Sequence, residues 1–249
     1  MRKTSAEIKS VILDYYYSEV YEKYLFSRSI QSAGVSYFEK SVEKYWAPKS
    51  EQVGRILEIG AGSGEHLPFV KTAPSEKYVC LDLRENIDAT WKTGLKDDIL
   101  KTVEFVIGDA QNLPFADAFF DRTLSTCLLH HVEDPIQVML EARRVTKPGG
   151  EIAFALPTDP GILNQFIKRF ISGPRLKKYS FISPKTIYAL EHPNHVAGLL
   201  EFSKLVFEDD DLTIHFDPFK LPSWNLNLLC VIHVVRSNQS SNYDYGGRL

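Results

Sequence analysis

"LEIGAGSGEHL", Leu57 to Leu67, sets three glycines at alternate positions directly behind a short apolar run. An apolar strand that ends in Gly-x-Gly-x-Gly and opens into a helix brings backbone close to a bound molecule, because glycine has no Cβ and accepts positive φ. The charges in the stretch narrow what that molecule is. Glu58 stands two residues before Gly60, and Glu65 follows Gly64 directly. Two carboxylates beside the loop disfavour a phosphate group and favour a cation.

The known phosphate loops agree with that exclusion. A triphosphate loop requires G-x-x-x-x-G-K-[ST], and no Lys-Ser/Thr pair follows Gly64. The dinucleotide loop requires G-x-G-x-x-G, and here Glu65 occupies the place of its third glycine. S-adenosylmethionine, with an ammonium and a sulfonium, remains, in competition with a tight turn that holds no ligand.

Outward from the loop, strands alternate with helices. "RILEI" precedes it, a helix is expected near 64 to 72, and then follow "KYVCLDL", a helix near 86 to 93, "TVEFVIG" and "FDRTLSTCLL". The helix "PIQVMLEARRVT" ends at "KPGG", where Pro148 cannot continue it and Gly149 and Gly150 permit a turn into the strand "EIAFALP". Strands rich in Val, Ile and Leu, separated by single helices, imply a parallel sheet covered on both faces. "SKLVFE" and "NLLCVIHVV" are joined by too little helical sequence for a parallel crossover, so the last pair is expected to be antiparallel. Residues from about 5 to 46 read as helix, with Ile8, Val11, Ile12 and Tyr15 at helical spacing and Ser5 or Thr4 as its cap.

In an open parallel sheet the ligand lies outside the carboxyl ends of the strands. The second strand ends at Asp82, whose carboxylate can accept both hydroxyls of a ribose. The third ends in "GDAQNLPF", where Asp109 can accept from an adenine amino group while the Ala110 N–H donates to the ring. Each acid alone reads equally well as a turn residue. Together they describe an adenosine site beside a cation pocket.

In that order and spacing "LEIGAGSGEHL", "LDL", "GDAQNLPFADAFFD" and "VTKPGGEIAF" resemble the successive motifs of class I S-adenosylmethionine-dependent methyltransferases, over about residues 53 to 156. The resemblance implies a Rossmann-like, doubly wound α/β fold. Its sheet would have seven strands in the order 3-2-1-4-5-7-6, the last antiparallel, with N-terminal helices and a helical insertion added. It also implies S-adenosyl-L-methionine as cofactor. Glu58, Gly60, Ala61, Gly62, Gly64, Asp82, Leu83, Asp109 and Ala110 would form its site, the glycines facing the methionine, Asp82 the ribose and Asp109 the adenine. The domain division that follows is an N-terminal helical lid over 1–46, a methyltransferase domain over 47–236 with an insertion at 157–200, and a flexible tail at 237–249. The tail "SNQSSNYDYGGRL" has no apolar period. Neither the lid nor the insertion belongs to the resemblance, and such regions usually choose the substrate.

Methyl transfer from a sulfonium is an in-line displacement, so holding the acceptor on the methyl–sulfur axis supplies most of the catalysis. A base helps only a hydroxyl acceptor. The fourth strand ends in "CLLHHVEDP", which puts His130 and His131 at the rim; strand alternation sends the two side chains different ways. His195 in "EHPNHVAG" is a further candidate from the insertion, with His192 ranked below it. Structural, hydrogen-bonded histidines are the competing reading. Tyr15, Tyr16, Tyr17, Tyr21 and Tyr24 crowd one helix, and Tyr17, Tyr21 and Tyr24 share a face that can offer rings to a sulfonium or simply pack on the sheet.

From Gly161 to Leu190 the chain carries Lys168, Arg169, Arg175, Lys177, Lys178 and Lys185 and no acid, within a protein of net charge -3. "ILNQFIKRFI" places Ile162, Phe166 and Phe170 on one face, with Leu163, Ile167 and Ile171 adjacent, a basic amphipathic helix of interfacial type or the cover of an active site. A small-molecule or lipid-linked acceptor that carries phosphate is therefore expected, with peripheral membrane contact through 161–178. The segment "FKLPSWNLNLL" resembles methyltransferases of bacterial envelope glycan pathways and points to polysaccharide biosynthesis.

The net charge of -3 argues against a general nucleic-acid binder, and no "DPPY" or "NPPY" follows the fourth strand, so no nucleic-acid partner is expected. A catalytically silent S-adenosylmethionine-binding protein is the other rival. Cys80, Cys127 and Cys230 lie in apolar runs without metal spacing and read as reduced core residues, and no metal is expected. No apolar run reaches membrane-spanning length and "MRKTSAEIKS" lacks the apolar core of a signal peptide, which leads to a cytoplasmic expectation, peripheral at the inner membrane surface.

Overall fold

The computed structural model describes residues 4–21, 30–46, 53–83, 95 and 97–238. Seven strands form one sheet: β1 Arg55–Ile59, β2 Lys77–Asp82, β3 Val103–Ile107, β4 Phe120–Thr126, β5 Thr146–Pro157, β6 Asp211–Asp217 and β7 Leu229–Val235. Their order is β3-β2-β1-β4-β5-β7-β6. β7 runs antiparallel to both β5 and β6, and the β1, β2, β3, β4 and β5 pairs are parallel. This is the expected Rossmann-like sheet.

Alternation along the strands divides the core in two. Leu57, Ile59, Val79 and Leu81 pack on one face with Phe154 and Ile232, while Ile56, Tyr78, Cys80 and Leu124 pack on the other with Ala155 and Val231. Helices cover both faces. In chain order they are α1 Ser5–Tyr15, α2 Ile30–Lys44, α3 Asp97–Leu100, α4 Pro135–Val145, α5 Ile162–Ile167, α6 Gly173–Tyr179, α7 Pro184–Glu191 and α8 Val196–Val206. α4 and α8 lie on the first face through Val138, Met139, Ala142, Leu199 and Val206. α2 contributes Val42 to the second.

Thr4 caps α1 in a reciprocal pair with Glu7: Glu7 N–H donates to Thr4 Oγ1 at 3.3 Å and Thr4 N–H to Glu7 Oε2 at 2.7 Å. The helix widens into a π-type turn over Tyr16–Tyr21. It does not pack on the sheet. Tyr16 and Val20 join Leu176 and Ile187 of the insertion in a third, separate cluster.

Local readings of the sequence need three corrections. "SKLVFE" is the end of α8 and its exit, and the sixth strand is Asp211–Asp217. The helix expected near 64–72 is a run of turns with one 3-10 turn at Leu67–Phe69, where Pro68 interrupts. β5 begins at Thr146, before "PGG", because Thr146 pairs with Phe120 across a bulge. The helix expected near 86–93, Tyr24 and residues 239–249 of the tail lie outside the described residues. Cys80, Cys127 and Cys230 are free thiols. Among the described residues no helix is long and apolar enough to cross a membrane.

Candidate functional site

The glycine loop sits at the carboxyl end of β1. Gly60, Gly62 and Gly64 have φ of +72°, +55° and +88°, a region that L side chains rarely adopt. Gly60 N–H and Ala61 N–H both donate to Leu81 O, at 2.8 and 3.1 Å. Gly62 N–H donates to Asp82 Oδ2 at 3.0 Å. The end of β2 thereby fixes the loop, and Asp82 faces the space that the loop encloses. Leu83, just beyond, is 68% exposed. After β3, Asp109 Oδ1 accepts from Gln111 N–H at 2.8 Å, and Ala110 is buried beside it. Three consecutive strand ends thus bring Gly60, Ala61, Gly62, Gly64, Asp82, Leu83, Asp109 and Ala110 to one edge of the sheet.

Glu58 lies elsewhere. It is 1% exposed beneath the loop and accepts from the Tyr78 hydroxyl at 2.9 Å. Burial pushes its carboxyl up to about 8. Its neighbour His66 is fully buried, with Nδ1 3.2 Å from Glu39 Oε2 and Nε2 3.3 Å from Glu43 Oε1. Despite the opposing effect of burial, the carboxylates of Glu39 and Glu43 lift His66 to about 10, so it is an imidazolium. Glu43 also pairs with Arg122 at 2.5 Å, and burial of that carboxylate is outweighed by His66 and Arg122, which draw it down to about 2. Arg122 in turn lies 3.9 Å from the Trp46 ring centroid. This charged network ties α2 to the underside of the loop.

The rim above β4 holds the histidines. The rings of His130 and His131 are 4.0 Å apart between centroids, and that of His192 is 4.5 Å from His130 and 5.0 Å from His131. It is His192, and not the higher-ranked His195, that the insertion brings to the pair; His195 is exposed at the cap position of α8. His131 Nδ1 lies 2.7 Å from Glu191 O. His192 Nδ1 lies 3.2 Å from Asp159 Oδ2. Asp159 also accepts from Gln165 at 3.3 Å and pairs with Lys168. Its own burial is overcome by His192 and Lys168, which hold it near 2, so it is ionised. Burial and the neighbouring imidazoles keep His130 well below the usual histidine range and draw down His131, whose side chain is nevertheless exposed, and they lower His192 against the pull of Asp159.

Asn194 anchors this rim: its Nδ2 donates to Leu129 O at 3.1 Å and to Val132 O at 2.7 Å. The tyrosines close it. Tyr16, Tyr17 and Tyr21 contact one another with centroids 5.3 to 5.7 Å apart. Glu191 accepts from Tyr17 and Tyr16, though burial still raises its carboxyl to about 7. Burial and the acids Glu65, Glu191 and Asp82 push the Tyr21 hydroxyl up. Asp159, Glu191, His192 and Asn194 were not legible as one site. "EHPNH" following the strand was the signal, and it named the wrong histidine first.

The outer face of the insertion is apolar and basic. Ile162, Phe166 and Phe170 are 69%, 58% and 59% exposed, with the two phenyl rings 4.6 Å apart. Leu163, Ile167 and Ile171 are half-buried. Arg169, Lys177, Lys178 and Lys185 are exposed, while Lys168 turns inward to Asp159.

A family of proteins described as "Methyltransferase domain" matches residues 57–154. The chain is 30% identical over 152 residues to a ubiquinone/menaquinone biosynthesis C-methyltransferase of Dinoroseobacter shibae, covering 59% of this chain and 60% of that protein. It is 34% identical over 100 residues to a 27-O-demethylrifamycin SV methyltransferase of Amycolatopsis mediterranei, covering 40% of this chain and 37% of that one. In each case the chain spans less than two thirds of the relative's length. A solved SAM-dependent methyltransferase of Thermotoga maritima superposes with a TM-score of 0.54 at 17% identity, over 92% of this chain and 98% of that one, and shares the fold. The matched segment, the motifs at three strand ends and the strand order agree: the chain carries a class I S-adenosylmethionine-dependent methyltransferase domain, with S-adenosyl-L-methionine as that domain's cofactor.

Proposed function

We propose that this protein transfers the methyl group of S-adenosylmethionine to an oxygen or nitrogen of a small acceptor that bears phosphate or a lipid anchor, such as a lipid-linked sugar or a lipid headgroup of envelope biosynthesis. The observation that carries the acceptor class is the exposed face of Ile162, Phe166 and Phe170 flanked by Arg169, Lys177 and Lys178, on the segment that also delivers His192 to the rim. The relatives named for quinone biosynthesis and for a rifamycin support a small-molecule acceptor.

The bound cofactor supplies an electrophilic methyl group on a sulfonium. Gly60, Gly62 and Gly64 would admit its methionine end, Asp82 would accept from the ribose, and Asp109 with the Ala110 N–H would read the adenine. Tyr17 and Tyr21 would exclude water over it and face its positive charge. The acceptor would lie against the histidine rim, and positioning would supply most of the rate. The N-terminal segment and the 157–200 insertion act as the substrate-choosing cover.

Release of S-adenosylhomocysteine with lipid-linked or phosphorylated acceptors, and none with RNA or DNA, is the expected result. Replacing Arg169, Arg175, Lys177, Lys178 and Lys185 by Gln should raise the acceptor KM steeply and leave cofactor affinity nearly unchanged. Equal kinetics at low salt, or turnover on nucleic acid, would refute the acceptor class.

A further inference from the structure

We propose that His130, His131 and His192 form a binding site for a divalent transition-metal ion of the zinc class, beside the position of the acceptor. One ring nitrogen of each lies within 4.8 Å of those of the other two. No such site was expected from the sequence, because His192 stands far along the chain from the adjacent pair and comes to it only through the insertion.

The hydrogen bonds around the trio leave one ring nitrogen free on His131 and on His192. Glu191 O can only accept, so His131 Nδ1 carries the proton and Nε2 keeps its lone pair. His192 Nδ1 lies 3.2 Å from Asp159 Oδ2 and donates to it, which leaves Nε2 as its free nitrogen. Backbone carbonyl or carboxylate on the far nitrogen is the arrangement that orients metal-bound histidines and raises their basicity as ligands. His130 adds a second, independent sign: its Nδ1 is buried with no hydrogen-bond partner among the described residues, in a side chain 4% exposed. A buried polar atom left unpaired is destabilising by about 1 to 3 kcal/mol, and an ion would relieve it.

Neutral imidazole is the form in which histidine binds a metal ion. Three imidazoles leave a coordination position open, the pattern of catalytic rather than structural zinc. Around zinc at 2.0 to 2.1 Å, tetrahedral donor atoms stand about 3.3 Å apart, so the rings must draw together by roughly 1.5 Å or less. His131 is exposed, and His192 follows the last residue of α7. Lys168 faces the trio, but its charge is taken up by Asp159.

The proposal concerns binding and stands apart from the acceptor chemistry, so it is tested without turnover. Tag-free, chelator-treated protein titrated with Co²⁺ at pH 7.5 should bind one ion at micromolar or lower Kd with visible d–d absorption, and Zn²⁺ should displace it. His192→Ala should lower affinity by more than 100-fold, and Asp159→Asn by 10- to 100-fold through the orientation of His192. His195→Ala should leave binding unchanged. Should His192→Ala misfold, ¹⁵N spectra of the intact chain give the same answer: Zn²⁺ should move the ring-nitrogen signals of His130, His131 and His192. No micromolar binding by the wild type, binding equally sensitive to His195→Ala, or Zn²⁺ shifts confined to other histidines would overturn it.

Discussion

Asp82 Oδ2 accepts from Gly62 N–H at 3.0 Å, so the carboxylate proposed to hold the ribose is fixed by the same contact that shapes the glycine loop. Asp82→Ala should weaken S-adenosylhomocysteine binding by about 1.5 to 3 kcal/mol, the scale of a hydrogen bond to a charged group, with folding largely spared. Calorimetry checks this, and an unchanged affinity would assign the ribose to another residue. Behind the loop, Glu43 joins His66 to Arg122 in a site 1 to 2% exposed. Glu43→Gln should destabilise the fold by about 3 to 5 kcal/mol in urea, since it leaves Arg122 buried without its charge partner. The pH dependence has a definite sign. A histidine raised from 6.5 to about 10 contributes stability that is complete below 6.5 and lost as pH rises to 10. Glu58, lifted from 4.5 to about 8, acts in the same direction, because its ionised form is disfavoured in the fold. Glu43, lowered from 4.5 to about 2, contributes stability present above 4.5 and lost toward 2. The urea midpoint should therefore fall between pH 6.5 and 10, less steeply in His66→Gln. A flat wild-type profile over that range would mean that His66 is neutral.

Among the elements, the connection between β4 and the insertion holds the histidine rim together. Asn194 bridges the carbonyls of Leu129 and Val132, and Glu191 O receives His131. Asn194→Ala should lower kcat with little change in cofactor affinity, because it loosens the histidine rim while the glycine loop keeps its own contacts; an equal loss of cofactor affinity would show that the two halves are coupled. The glycine loop, Asp82 and Asp109 were readable because each stands at the end of its strand or within a residue or two of it, and the strand order then brings them to one edge. His192 was not, since its approach to His130 depends on how α7 and α8 pack. "SKLVFE" misled for a physical reason. Its buried positions Ser203, Val206 and Phe207 continue Leu199 and Leu200 at a helical period, and a six-residue window hides that period inside an apparent strand. The antiparallel end of the sheet was nonetheless expected correctly, from a wrong sixth strand. The Tyr16–Tyr21 turn packs on the insertion where packing on the sheet was the ordinary alternative.

At the scale of the whole molecule, a net charge of -3 coexists with a basic, apolar outer face on the insertion. If that face meets an anionic membrane, the protein should float with phosphatidylserine vesicles at 0.1 M salt and not at 1 M, as the Debye length shrinks from about 10 to about 3 Å. Replacing Ile162, Phe166 and Phe170 by Ser should abolish flotation even at low salt, because the apolar side chains supply the non-electrostatic part of the attraction. Flotation by neither protein would leave a soluble phosphorylated acceptor as the reading of the basic residues. The third hydrophobic cluster carries a different consequence. Tyr16 and Val20 come from before the sheet, and Leu176 and Ile187 from within it, yet they share one small core apart from the other two. Substrate preference in this architecture is therefore not a cassette that one cut can move. A chimera that exchanges residues 157–200 with a relative while keeping its own 5–21 juxtaposes two half-interfaces that were never matched. Each large side chain so exposed forfeits about 1.5 to 3 kcal/mol of burial. Transplanting both segments together is the exchange that keeps the hybrid folded.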